Sequence, residues 1–306
     1  MSTSNRRISF HVGVKAYDPA YKEAKTLLSA ADDAREMYNL ARDLGYTGLD
    51  LKPADPWDGI SPAPANVLID KDANYNAVVD LFRNAATLLK GEGDSCFITF
   101  SGHGTQLEIE PVAPPEDLNE AVCLFDFPMI DDVICGMLGG FRKGVDVILV
   151  LDCCHAGATS PLETAILENL VVPPQLILEE NTESPFGIAK VGGKPPDAPP
   201  PLATELQAKF KSFNRLLLDA NIAVFEACHD DQKTFDGKKV GDLSVYSRKF
   251  IDAVRKGATK IGDIENAIEA ADPPIENCNP RLQRVGTDAF FKTSLKANPP
   301  PPKSPN

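Results

Sequence analysis

The sequence predicts an α/β fold in which helices cover both faces of a mostly parallel central sheet. Two observations support this class. Short apolar runs alternate along the chain with longer segments of helical periodicity, and one of these runs, VDVILVLD, is apolar on both faces. A strand without a polar face is typical of a parallel sheet buried between helices. Alternating strands and helices favour crossover connections, which keep successive strands parallel.

In the first half of the chain, strands and helices are predicted in regular succession. The first strand is RISFHVGV, and the first amphipathic helix is SAADDAREMYNLARDLGY. A second helix, NYNAVVDLFRNAATLLKGEG, ends at glycines and leads directly into the strand of DSCFITFSGHG. Next come a strand in NEAVCLFD, a helix in DDVICGMLGGFRKG with Asp near its start, and the strand VDVILVLD.

The second half of the chain begins with a change of composition. Eight prolines lie between residues 171 and 202, which predicts a surface insertion or linker rather than part of the sheet. A helix is predicted around residues 205–218, followed by a central strand in NIAVFEAC and helices in SVYSRKFIDAVRKG and KIGDIENAIEAAD. A late strand is predicted in TDAFFKTSL, and the NPPPPKSPN tail is expected to be disordered.

Composition limits the classes of function. A formal net charge of -13 argues against nucleic acids and anionic membranes as main partners, because both need clustered Lys and Arg. Seven cysteines, an odd number without framework spacing, indicate a reducing compartment. The N-terminal apolar run is too short for a signal peptide, and no run approaches the length of a membrane span. We therefore expect a globular cytoplasmic protein with basic partners or substrates.

Two of the predicted strands end in residues that are capable of chemistry. SGHGT follows one strand and DCCHAG follows the other. The carboxyl ends of parallel strands lie along one edge of a sheet, where the sites of such folds form. If the two strands are neighbours, His103 and a cysteine of the second segment can therefore come within hydrogen-bonding reach.

The strand period of two separates the two adjacent cysteines. Asp152 and Cys154 point to the same side, whereas Cys153 points to the other and is expected to be a small buried hydrophobe. Cys154 is the expected nucleophile, because free backbone N–H groups at the strand end could lower the pKa of its thiol. The N–H groups of Gly104 and Cys154 are candidates for an oxyanion hole.

The order of these motifs resembles that of the caspase-like cysteine peptidases, and specifically of the metacaspases and their prokaryotic relatives. SGHGTQ followed by DCCHAG carries the resemblance, and LLSAADDAREMYNLARDLGY, NEAVCLFD and EACHDDQ extend it over most of the chain. It implies a caspase-like three-layer sandwich and a cysteine endopeptidase that acts through an acyl-enzyme. His103 matches the family's catalytic histidine, and Cys154 matches its nucleophile.

The resemblance also divides the chain into regions. These are a large-subunit-like region with the catalytic pair at 1–160, the proline-rich insertion at 161–203, a small-subunit-like region at 204–296 that completes the same domain, and the tail at 297–306.

Three polar residues match the family's pocket for the side chain before the cut. Asp152 stands two residues before the nucleophile, where a carboxylate repels acidic side chains and attracts Arg or Lys. Asp33 matches a second acid of that pocket, and Ser101 matches a polar residue of its wall. We therefore expect cleavage of proteins or peptides after Arg or Lys. By the same resemblance, the protein is expected to be a monomer.

The chemistry itself requires no cofactor, but many metacaspases bind calcium as an activator at a carboxylate cluster outside the catalytic centre. Asp131 and Asp132 match the paired acids of that cluster. Two further acids of the family are replaced here by Asn119 and Pro161. Calcium prefers several oxygen ligands, so these losses weaken the case. The alternative is that Asp131 and Asp132 only cap the helix that follows them.

Other interpretations of the same residues stay open. A buried Cys or His is often structural, and Asp152 can serve as a strand-end cap. A zinc site formed by His103, Cys153, Cys154 and His155 is disfavoured, because adjacent cysteines on opposite strand faces cannot easily share one ion. His155 is expected to be structural or to face solvent.

The proline-rich stretch has two interpretations. It is most simply a flexible loop, but the resemblance implies self-cleavage in this part of the chain, here 158–220. Lys190 and Lys194 are the accessible basic candidates. The alternative to an active peptidase is a catalytically silent or latent caspase-fold protein that acts through partner binding or is switched on by a stress or defence component.

Overall fold

The computed structural model places the core of the protein around one six-stranded sheet. It describes residues 5–22, 24–52, 55–107, 119–154, 183–184, 187–192, 194–210, 218–228, 234–271 and 279–296. Within these ranges no helix has the length and apolar character needed to cross a membrane. His155, Pro161 and the predicted tail at 297–306 lie outside the described residues, as does most of the predicted insertion.

The strands of the described residues form one large sheet and two small ones. They are β1 Arg7–Gly13, β2 Val67–Ile69, β3 Ser95–Ser101, β4 Gly104–Leu107, β5 Asn119–Cys123, β6 Pro128–Ile130, β7 Asp146–Asp152, β8 Glu183–Ser184, β9 Gly187–Ile188, β10 Asn221–Glu226 and β11 Arg281–Val285. The large sheet has the order β11-β10-β7-β3-β1-β2. All of its pairings are parallel except that of β10 with β11, so the predicted mostly parallel sheet is confirmed.

Helices cover both faces of this sheet. They are α1 Ala30–Asp43, α2 Tyr75–Leu88, α3 Asp131–Leu138, α4 Pro201–Phe210, α5 Val245–Arg255, α6 Ile261–Glu269 and the short α7 Asp288–Phe291. Alternate residues of each central strand point to opposite sides. Ile98 and Leu149 pack with α2, α3 and α4, whereas Phe97 and Ile148 pack with α1, α5 and α6. The sheet is therefore the middle layer of three, as predicted.

A small antiparallel sheet stands beside the end of β3. Its order is β4-β5-β6, and β4 begins at Gly104, directly after His103. The NEAVCLFD segment is therefore a strand, as predicted, but it belongs to this small sheet. Strands β8 and β9 pair with each other in a separate antiparallel sheet, and β9 ends two residues before Lys190.

Two predictions for the second half of the chain are wrong in detail. The TDAFFKTSL segment forms the short helix α7, because the Thr287 side chain caps it by accepting a hydrogen bond from the Phe290 N–H. The late strand is instead β11, whose Arg and Gln side chains hide the apolar signal. The helix expected at 205–218 already begins at Pro201, since proline is well suited to the first turn.

Candidate active site

The two strand ends that carry the predicted catalytic residues are neighbours. β3 and β7 pair in parallel, with Ser101 directly opposite Asp152. Beyond this pair, the Gly102 N–H donates a hydrogen bond of 3.3 Å to the Asp152 carbonyl. His103 and Cys154 each follow two residues after that register, so the sheet brings them to one edge. The shared edge is as the sequence predicted, whereas hydrogen-bonding reach between the two side chains stays a prediction.

Gly104 joins the two strand ends at very close range. A Cβ at this position would lie 1.7 Å from the carbonyl oxygen of Cys154, so no side chain can be accommodated there. The absence of a side chain lets the backbone N–H groups of Gly104 and Cys154 point at one acceptor, as described below.

His103 is fully buried and held on three sides. Its backbone N–H donates to the Tyr17 hydroxyl at 2.7 Å, and its ring stacks on the Tyr17 ring with centroids 5.2 Å apart. The ring Nε2 lies 2.7 Å from the Lys25 carbonyl, which can only accept, so Nε2 carries the proton. Nδ1 is then the basic nitrogen. Burial lowers the pKa of His103 to about 4, against the opposing effect of the Lys25 carbonyl.

The Cys154 thiol is also fully buried. Its Sγ accepts a hydrogen bond of 3.2 Å from the Thr234 N–H and lies 3.5 Å from the Thr234 carbonyl. Burial raises the pKa of this thiol well above its ordinary value, and Cys228 adds to the rise, whereas the Thr234 N–H opposes it. In this closed arrangement both the thiol and the imidazole are therefore neutral. Cys153 lies in the apolar cluster on the other face, as predicted.

The three predicted pocket residues surround a lysine of the same chain. The Lys190 Nζ lies 3.4 Å from Asp33 Oδ2 and 3.2 Å from Asp152 Oδ1, and it donates to Ser101 Oγ at 2.8 Å. Lys190, Asp33 and Asp152 are all fully buried. The expectation that Lys190 is accessible is therefore wrong, because its ammonium group finds its charge partners inside the protein. Lys194, by contrast, is exposed.

The ionisation of this cluster follows from burial and from the neighbouring charges. Burial raises the pKa of Asp33 to about 6, and Asp152 adds to the rise, whereas Lys190 and Ser101 oppose it. Burial lowers the pKa of Lys190, but Asp152 and Asp33 outweigh this effect and raise it overall. Near neutral pH the site therefore holds an ammonium group between carboxylates.

Hydroxyl groups from the second half of the chain fix the two carboxylates. Asp152 accepts from the Ser247 N–H at 3.0 Å and from its hydroxyl at 2.6 Å, and also from the Ser244 hydroxyl. The Ser244 N–H donates to Asp33 Oδ1 at 2.9 Å. Sequence reasoning did not find these serines, because nothing local marks serines at the start of helix α5 that reach a strand end far away in the chain.

The backbone around Lys190 lies extended across the two strand ends. The Lys190 carbonyl accepts from the N–H groups of Gly104 at 3.0 Å and Cys154 at 3.3 Å. The Lys190 N–H donates to the Thr234 carbonyl at 3.1 Å, and the Gly192 N–H donates to the Gly104 carbonyl at 2.7 Å. The Lys190 carbonyl thus occupies the position predicted for the oxyanion, and the Lys190 side chain fills the pocket beside it.

The comparison with known families agrees with this geometry. The caspase domain, a peptidase family, matches residues 6–271. The chain belongs to the caspase domain family. Members of this family are cysteine-type endopeptidases, so the resemblance drawn from the SGHGTQ and DCCHAG motifs is confirmed at this level.

Two metacaspases share part of this caspase domain. Metacaspase-9 of Arabidopsis thaliana is 35% identical over 88 residues, which are 28% of this chain and 27% of the relative. Metacaspase-3 of Trypanosoma cruzi (strain CL Brener) is 31% identical over 74 residues, which are 22% of this chain and 20% of the relative. The matched segments thus span about a quarter of each relative or less.

A solved structure supports the fold over nearly the whole caspase domain. The crystal structure of a Geobacter sulfurreducens protein matches with a TM-score of 0.63. The match covers 94% of this chain and 97% of that one, at 21% sequence identity. At this identity the likeness concerns the architecture alone.

The described part of this caspase domain does not assemble the predicted calcium cluster. Asp131 is buried, and both Asp131 and Asp132 lie in the first turn of α3. Negative charges at this end of a helix interact favourably with the helix dipole. The residue that caps the helix is Ile130, so neither acid is the cap itself. No group of three or more His, Cys, Asp or Glu side chains is placed to hold a metal ion within the described ranges. Calcium activation through Asp131 and Asp132 stays a prediction.

Proposed function

We propose that the protein is a cysteine endopeptidase that cuts peptide bonds after Lys or Arg, with Cys154 as nucleophile and His103 as general base. One observation carries this proposal. Lys190 lies as a substrate residue would, with its ammonium group between Asp33 and Asp152 and its carbonyl oxygen at the N–H groups of Gly104 and Cys154. A basic side chain and a polarised carbonyl are thus presented together beside a thiol.

The proposed chemical steps assign one role to each of these groups. The thiol proton passes to His103 Nδ1 as Sγ attacks the carbonyl carbon, and the oxygen becomes an anion held by the two N–H groups. Collapse of this adduct breaks the C–N bond, and the imidazolium returns the proton to the leaving amine. Water, deprotonated by the same nitrogen, then hydrolyses the thioester and releases the carboxylate product with the free thiol.

Charge explains the preference for basic residues. An acidic side chain in the pocket would add a third negative charge beside Asp33 and Asp152, both of which are buried. A neutral side chain would leave the two carboxylates without a cation at close range. Lys and Arg alone among the side chains supply a permanent positive charge at the required reach.

We further propose that the bond between Lys190 and Val191 is the self-cleavage site of the chain. Because the segment is already seated, the reaction is intramolecular and pays no cost for bringing the reactants together. Until the segment leaves, the Lys190 side chain excludes other basic residues from the pocket. The protein is therefore a latent peptidase. This proposal combines the two interpretations of the sequence, an active peptidase and a latent caspase-fold protein.

Intact mass measurement tests the proposal directly. The wild type should yield a fragment that ends at Lys190, whereas Cys154→Ala and His103→Ala should stay intact. Lys194→Ala is the matched control, since this exposed lysine lies outside the pocket and its loss should not change the fragments. After processing, an electrophilic Lys-chloromethylketone should label Cys154. A purified wild type that neither cuts itself nor takes the label would instead favour a silent caspase-fold protein acting through partner binding.

A further inference from the structure

The groove continues beyond the proposed cut, where it meets the backbone of Gly192. The Gly192 N–H donates to the Gly104 carbonyl at 2.7 Å, which fixes the register of the second residue after the cut. The backbone of Gly192 does not have a left-handed conformation, so its φ angle gives no reason for a glycine here. The reason must lie in what surrounds the residue.

The space around Gly192 is closed by Cys123. A Cβ at this position would lie 2.6 Å from Cys123 Sγ, 3.2 Å from the Gly104 carbonyl oxygen and 3.4 Å from Thr105 Cβ. Contacts below 3.0 Å require something to move. The substrate backbone cannot move away without stretching its hydrogen bond to the Gly104 carbonyl.

Cys123 is poorly placed to move instead. It is fully buried at the end of β5, and its backbone N–H donates to the His103 carbonyl at 2.9 Å. Because the side chain is fully buried, its Sγ can rotate away from Gly192 only into space that neighbouring atoms already fill. Close packing around this buried side chain therefore makes the wall beyond the cut resist displacement.

We propose that Cys123 forms a subsite that selects glycine at the second position after the cut. This inference rests on the proposed function. It describes the substrate as Lys or Arg before the cut, an unrestricted residue directly after it, and glycine at the second position after it. A side chain at the third of these positions collides with Cys123 Sγ. The Cys123 sulfur is thus the closest obstacle on this side, and the Gly104 carbonyl oxygen is the next.

Three quenched fluorescent peptides test the subsite with the self-processed enzyme. The first carries GIAKVG, the sequence of residues 187–192, the second GIAKVA and the control GIAKAG. Overpacking by one methyl group should lower kcat/KM for GIAKVA by roughly tenfold to a hundredfold relative to GIAKVG. GIAKAG, which changes the neighbouring position, should be cut within about threefold of GIAKVG. In Cys123→Ala the penalty for GIAKVA should fall to about threefold or less.

A second measurement in the intact chain covers the case in which Cys123→Ala does not fold. Gly192→Ala should slow self-cleavage, whereas Val191→Ala should not, as followed by the intact mass over time. Equal rates for GIAKVG and GIAKVA, or equal self-cleavage of the two chain variants, would overturn the subsite and leave the proposed function standing. A wild type that cuts none of the three peptides would overturn the proposed function and the subsite with it.

Discussion

The groove on either side of the Lys190 carbonyl recognises its occupant in two different ways. Before the proposed cut, two buried carboxylates and the Ser101 hydroxyl surround an ammonium group. Beyond it, Cys123 Sγ and the Gly104 carbonyl leave no room for a side chain on Gly192. The first half selects by charge and the second by space. Changes of charge should therefore act on recognition in the first half, and changes of volume on recognition in the second.

The largest effect should come from removing charge in the first half. Asp152→Asn keeps the shape of the side chain and its acceptor oxygen for Ser247 but removes one negative charge. It should lower kcat/KM for GIAKVG by roughly a hundredfold to a thousandfold, as for a buried ion pair that loses one partner. The ratio of GIAKVG to GIAKVA should not change.

Asp197→Asn is the control for this substitution, since Asp197 is an exposed acid outside the pocket. Undiminished activity of Asp152→Asn on the Lys peptide would refute the charged pocket.

The next effect concerns stability and its dependence on pH. In a Cys154→Ala background, which keeps the chain intact, Lys190→Met should lower the free energy of unfolding near pH 8 by about 3 kcal/mol, because it leaves buried carboxylates unpaired. Lys194→Met, at an exposed position, should change it little. Chemical denaturation at pH 5 and at pH 8 measures both.

The sign of the pH dependence follows from Asp33. Its pKa is already raised from 3.8 to about 6 with Lys190 present, and loss of the ammonium group should raise it further. Between these values the folded protein holds a proton that the unfolded chain has released, so its stability falls as the pH rises. The penalty of Lys190→Met should therefore be smaller at pH 5 than at pH 8. An equal penalty at both would show that Asp33 does not titrate against Lys190.

A smaller effect should appear in the reactivity of the thiol. In a His103→Ala background, which prevents self-cleavage, the buried Cys154 should react slowly with iodoacetamide. Lys190→Gly removes the side chain that anchors the segment, so the alkylation rate should rise by about tenfold as the thiol becomes exposed. Lys194→Gly is the matched control. Peptide mapping of the alkylated Cys154 gives the rate, and identical rates in the two variants would argue against the segment as a cover.

The smallest effect should come from Tyr17, which lies behind the histidine and belongs to neither half. Tyr17→Phe removes the acceptor of the His103 N–H but keeps the stacked ring. Loss of one hydrogen bond should lower kcat by about threefold to tenfold and leave KM unchanged. Because His103 serves both halves, the same factor should apply to GIAKVG and GIAKVA. Unequal factors would place Tyr17 in substrate selection.

The sequence predicts the first half of the groove much better than the second. Ser101, Asp152 and Cys154 stand on or next to strand ends, where the period of two and the shared edge of parallel strands decide their positions. Asp33 is reached only through the resemblance, because its helix carries no local sign that it faces a strand end. The burial of Lys190 inside a proline-rich stretch could not be predicted, since it depends on partners more than 30 residues away.

The wall beyond the cut has even less signal in the sequence. Cys123 ends an ordinary apolar strand, and its role depends on where a separate segment crosses it. Tyr17 acts through its ring face and its hydroxyl, and Lys25 and Thr234 act through backbone groups. No residue pattern reveals these contacts. Periodicity predicts which side a residue faces, but it does not predict what a distant loop brings to that side.

Cutting the bond after Lys190 would not by itself empty the groove. Lys190 would still lie between its two carboxylates, and the downstream piece would still be tied through Gly192 to Gly104 and through the Lys194 carbonyl to the Lys22 N–H. Each anchor must let go before a foreign chain can enter. Release of the segment would therefore be an intramolecular step, so the delay between the first cut and the second should not depend on the protein concentration.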